Sequence, residues 1–97
     1  MYGIQFAEQV ATDLVEQYQF LDGRQSGLGE LFLDDIQSMF EILKGNPHMF
    51  QKRFNEYRIA LTKRYRYKVI YRIKGDDTVQ VVAVRHPRQH PAGWIFR

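Results

Sequence analysis

The apolar positions of this chain follow two different periods, one in each half. Phe6, Val10, Leu14, Tyr18 and Leu21 recur at spacings of four, four, four and three, which is one face of a helix. Asp13, Glu16 and Gln17 fall largely off that stripe. The pattern predicts a helix end near Asp22-Gly23, because glycine tolerates the left-handed conformation that closes a helix. Gly23, Ser26, Gly27 and Gly29 mark a turn. A second stripe then runs through Leu28, Phe32, Ile36, Met39, Phe40 and Leu43, and it stops at Gly45-Asn46-Pro47. Two helices joined by so few residues form an antiparallel αα-hairpin.

After Pro47 the period falls to two. Residues 48–56 read as a basic loop. Tyr57, Ile59 and Leu61, then Tyr67, Val69, Tyr71 and Ile73, then Val79, Val81 and Ala83, alternate with their neighbours and predict three strands. Lys74-Gly75-Asp76-Asp77-Thr78 is a suitable hairpin loop between the last two. Residues 2–6 suggest a further strand joining the same sheet. The ending, with two prolines and a glycine, reads as an irregular segment that docks Trp94 and Phe96 on the core. The expected fold is therefore α+β: one domain over 1–97, with an N-terminal αα-hairpin packed on an antiparallel sheet of three to four strands. One sheet face meets the helices and the other meets solvent.

Charge sharpens this picture. Residues 1–48 carry two bases against eight acids, a net −6, and residues 49–97 carry twelve bases against three acids, a net +9. Such a division points to a polyanion or an acidic protein partner on the basic side. There is no cysteine, so disulfides and thiolate metal sites are excluded. The start does not read as a signal peptide, and no apolar run reaches the ~18 residues of a membrane span. These features fit a cytoplasmic protein that does not use the membrane.

Candidate chemistry concentrates in the strands. Alternation places Lys68, Ile70 and Arg72 on one face, opposite Tyr67, Val69, Tyr71 and Ile73. Arg58 lies opposite Tyr57, Ile59 and Leu61, so Arg58, Lys68 and Arg72 are expected to line one open face. The last strand delivers Arg85, His86 and Arg88 in quick succession. Arg and Lys neutralise phosphates, and a histidine can move a proton near neutral pH. Together they suit stabilisation of a phosphate attacked by an RNA 2′-hydroxyl. The same residues also fit ordinary solvent-facing positions and a structural histidine, while Tyr67 and Tyr71 read as core. The adjacent pairs Asp34-Asp35 and Asp76-Asp77 read as surface. Three scattered histidines make no metal site, and no glycine-rich phosphate loop is present, so no cofactor is expected.

Several segments, in order, resemble the RelE/ParE superfamily of type II toxins, which includes many plasmid stabilisation proteins. They are Ala11-x-Asp13-Leu14, Phe32-Leu33-Asp34-Asp35-Ile36, Asn46-Pro47, Tyr57-Arg58, Tyr67-Lys68-Val69-Ile70-Tyr71-Arg72-Ile73, Val82-Ala83-Val84-Arg85-His86 and Arg88-x-x-Pro91-x-x-Trp94-x-x-Arg97. The resemblance implies a compact fold of two helices on an antiparallel sheet and a cognate antitoxin that wraps and neutralises the chain. RelE-like members cleave mRNA on the ribosome. By that likeness Lys68 and Arg72, with Arg58 and Arg88, hold phosphate, Arg85 stabilises developing charge and His86 handles the proton. ParE-like members instead bind DNA gyrase and have no catalytic residues. The expectation is a ribosome-dependent endoribonuclease toxin. The alternatives are a non-enzymatic gyrase inhibitor, favoured by the lack of a complete RNase set, and an inactive antitoxin-binding relative.

Overall fold

The computed structural model describes residues 1–89; the expected docking of Trp94 and Phe96 lies outside them. The elements are β1 (Gly3–Phe6), α1 (Glu8–Arg24), α2 (Leu28–Gly45), a 3-10 turn (Pro47–Met49), β2 (Lys52–Phe54), β3 (Tyr57–Leu61), β4 (Lys68–Lys74) and β5 (Thr78–Arg85). The strands form one sheet in the order β1-β5-β4-β3-β2. The fold is α+β as expected, but the sheet has five strands and is mixed. β1 lies parallel to β5, with Gly3 beside Thr78 and Phe6 beside Val81. A parallel pair needs a crossover, and here the chain between the two strands supplies the helical hairpin and three antiparallel strands. β2 falls in the segment expected to be a loop; three residues are too few to show alternation.

The hairpin forms for the reasons its stripes suggest, with one adjustment. α1 continues past Asp22 to Arg24, and the Asp22 carboxylate instead accepts the backbone N–H groups of Gly27 (3.0 Å) and Gly29 (3.2 Å). A carboxylate there satisfies donors that a helix start leaves unpaired. Gly29 is required by contact: a Cβ would sit 2.7 Å from the Tyr18 ring of α1. Gly75 turns the β4–β5 hairpin with φ +65°, where a side chain would be strained.

The main core lies between helices and sheet. Val10, Phe32, Ile36, Met39 and Leu43 pack there with Val69, Tyr71, Val79, Val81 and Val84. β5 switches parity inside this core. The register shifts beside Ile70/Tyr71, so Ile70 pairs with Ala83 while Tyr71 pairs with Val81. Val82 and Ala83 then both join Ile70 in a second buried cluster, against which Tyr57, Ile59 and Ala7 pack. The far face of the sheet is thus partly buried rather than fully open to solvent. The β3–β4 pairing, Ala60 with Val69 and Ile59 with Ile70, also corrects the reading of β3: Ala60, not Ile59, belongs to the helix-side core.

Candidate functional site

The register decides which cations meet. Arg58 is paired with Tyr71 and Ala60 with Val69, so Arg58 points to the helix side of the sheet. There it donates to the Phe50 carbonyl, while the Tyr71 hydroxyl donates to the Pro47 carbonyl at 2.6 Å. These two bonds hold the 3-10 turn and its exit against the sheet. Burial pushes the Tyr71 phenol up to about 12, against a smaller lowering by the nearby Arg58 charge. Arg58 therefore does not share an open face with Lys68 and Arg72, as alternation alone suggested.

Lys68 and Arg72 do share the far face, about 13 Å apart along the strand. Arg72 donates to the Gln80 amide oxygen at 2.7 Å and lies 3.4 Å from Glu56. Lys68 donates to the Gln89 carbonyl at 2.7 Å. Arg85 is paired with Lys68 in register, yet its guanidinium is 2.8 Å from the Asp13 carboxylate of α1, and both side chains are buried. The same carboxylate accepts the Val84 N–H at 2.9 Å. β1 ends at the level of Val81, so Asp13 serves a stretch of β5 edge that β1 does not reach. His86 packs edge-on against Tyr67, and also against Phe20 of α1, at ring separations of 5.5 and 6.4 Å. Its Nδ1 accepts the Arg88 N–H at 3.1 Å, which leaves Nε2 as the protonated nitrogen in the neutral ring. The Arg88 side chain is exposed. The six sequence-selected residues are thus divided: Arg58 inward, Arg85 in an ion pair, His86 against α1, Arg88 exposed, and Lys68 and Arg72 separated on the far face.

Another set of cations comes together instead. A groove of about 460 Å³ is lined by the apolar Phe50, Ile59 and Leu61 and by Arg53, Arg66 and Lys68. Arg66 belongs to the loop between β3 and β4, where Lys63, Arg64 and Arg66 are all exposed. That loop is tied down. Thr62 N–H donates to the Tyr67 carbonyl at 3.0 Å, and Tyr67 N–H donates to the Thr62 hydroxyl at 2.9 Å. Asp35 of α2 accepts the Arg64 and Tyr65 N–H groups at 2.9 and 2.8 Å. Asp34 is exposed, but Asp35 is buried, contrary to the surface reading of that pair. The sequence did carry a signal for this loop: Lys63-Arg64-Tyr65-Arg66-Tyr67-Lys68 places four cations in six residues. Asp35 and Asp13 gave a fainter one, since each lies one turn from buried apolar residues of its helix, Phe32 and Val10. Among the described residues no group of His, Asp or Glu could hold a metal ion, and no helix is long and apolar enough to cross a membrane.

Comparison with known proteins gives the family. The family described as "ParE toxin of type II toxin-antitoxin system, parDE" matches residues 4–91. The chain belongs to the ParE toxin family. A chain from the solved structure titled "Chromosomal ParDE TA system from P. aeruginosa" is similar in fold, with a TM-score of 0.76. It is 17% identical, and the match covers 89% of this chain and 96% of that one. No curated protein matches the sequence. As a ParE-family toxin the chain is one half of a toxin–antitoxin pair, so an antitoxin is its implied partner. The two helices packed on a β-sheet are the fold this chain shares with that ParDE-system chain.

Proposed function

We propose that this toxin arrests growth by binding DNA gyrase in the cytoplasm, not by cleaving mRNA, and that its antitoxin relieves the arrest. The observation that carries this reading is the Arg85–Asp13 ion pair, 2.8 Å long and buried, with His86 packed against α1. An acid/base catalyst and a charge stabiliser must reach the same reacting atoms. Here the guanidinium is held by a carboxylate, and the phosphate-binding candidates Lys68 and Arg72 stand about 13 Å apart. A binding protein needs no such convergence, and membership of the ParE family supports the same direction. The test is supercoiling by purified gyrase with increasing toxin. Inhibition with accumulation of cleaved DNA, reversed by antitoxin, is expected; full supercoiling at saturating toxin overturns the reading.

A second reading has its own support. Lys68 lines the basic groove beside Arg53 and Arg66, so phosphate can be held on that side of the sheet. In this reading Arg72 and Arg88 assist, and Arg85 and His86 act on mRNA in the ribosome. New RNA 5′ ends inside translated frames within minutes of induction, lost in His86→Ala, would establish it.

A further inference from the structure

We infer that the β3–β4 loop, with Lys63, Arg64 and Arg66 beside Arg53 and Lys68, is a docking surface for the phosphate backbone of duplex DNA. The choice of DNA as the polyanion rests on the gyrase reading. The surface itself rests on three observations. First, the cations lie together. The loop contributes three within four residues, and the groove brings Arg66 next to Arg53 of β2 and Lys68 of β4. Among the described residues none of Arg53, Lys63, Arg64 and Arg66 forms an ion pair, so their charge is uncompensated by protein.

Second, the loop is preorganised. Asp35 and the Thr62–Tyr67 pair hold its backbone from α2 and from the strand ends. Every one of those bonds uses a backbone donor from the loop, so the cationic side chains are spared for a ligand. Arg66 sits at φ 60°, a conformation in which glycine or asparagine would be less strained. What an arginine adds at that position is its guanidinium.

Third, the surface suits a double helix better than a single strand. Single strands are held by stacking bases on exposed aromatic rings. Of the rings beside these cations, Tyr67 is buried, Phe50 and Tyr65 are half-buried, and the Arg64 guanidinium lies over Tyr65 at 5.4 Å. A duplex keeps its bases stacked internally and offers phosphates, which Lys and Arg bind with release of counterions. Such binding is independent of base sequence and steeply dependent on salt.

The experiment is fluorescence anisotropy of the purified full-length toxin, without gyrase, on a short labelled duplex DNA at several salt concentrations. Duplex RNA, single-stranded DNA and poly-glutamate serve as competitors. Binding is expected to weaken about a few-hundred-fold between 50 and 200 mM salt, as about five phosphate contacts would give. The variant Lys63→Gln/Arg64→Gln/Arg66→Gln leaves the backbone anchors to Asp35 in place and is expected to shallow the log–log salt slope by about 2 to 3. Lys63→Gln alone, at an exposed position, should remove about 0.9 of that slope. Removing charge elsewhere, with Arg24→Gln/Lys74→Gln, should leave the slope unchanged. Thermal unfolding of each variant separates loss of contact from loss of fold. No binding at low salt, an unchanged slope in the triple variant, or tighter binding of single strands, duplex RNA or poly-glutamate would each overturn the proposal. Duplex binding by a toxin that leaves gyrase untouched would uphold this surface and sink the gyrase reading, so the two failures are distinguishable.

Discussion

Arg85 joins the last strand to the first helix through a carboxylate that also takes a β5 N–H group. Removing one partner of a buried ion pair strands the other charge in a low dielectric and costs about 3–5 kcal/mol. A domain of this size holds about 5–15 kcal/mol in all. Arg85→Met is therefore expected to lower the urea midpoint sharply, and a loss below about 1 kcal/mol would show the pair to be dispensable. It follows that lost toxicity in an Arg85 variant would report folding, whereas His86→Ala probes chemistry more cleanly. Tyr71 supplies a second expectation. Its phenol is raised by burial from 10.0 to about 12, so the neutral form is favoured in the folded state. Its stabilisation is complete below pH 10 and is lost as pH rises from there through about 12, a change on the order of 2–3 kcal/mol. Tyr71→Phe should cost about 1 kcal/mol at neutral pH through the bond to Pro47, and should flatten the alkaline decline in unfolding experiments. Tyr67, also raised by burial, keeps some of that decline in the variant.

At the scale of elements, stability should follow the pairing. β5 is bonded on both sides, by parallel β1 and antiparallel β4, and is the most continuously buried strand. β2 is a three-residue edge strand with an irregular register. Amide hydrogen exchange is expected to be slowest in β4 and β5 and fastest among the strands in β2. Protection of β2 equal to that of β4 would mean that the Arg58 and Tyr71 anchors stabilise the edge more than its pairing does. The helices were legible because eighteen residues of α2 repeat one stripe and end at a glycine. The three long strands were legible by alternation. β1's partner was not, since a parallel pairing 75 residues away in sequence leaves no local mark. The shift beside Ile70 was equally invisible, because a one-residue slip reverses the side-chain faces beyond it without changing composition.

At the scale of the whole molecule, the division of charge has a spatial meaning. The acidic half builds the first strand and the helical hairpin, and the basic half builds four of the five strands and the loop that projects Lys63, Arg64 and Arg66. A fold shared by binding and cleaving toxins leaves the activity to the placement of single side chains. Here that placement divides the expected catalytic group and assembles a different basic surface. The sequence by itself determined the two helices, the meander, the basic half and the toxin family, because periodicity, turn residues and ordered motifs are local properties. Only the tertiary structure decided that Asp13 holds Arg85, that Asp35 holds the basic loop, and that Arg58 turns inward. Those outcomes depend on strand register and on which helix crosses which strand end, and neither is written in the spacing of neighbouring residues.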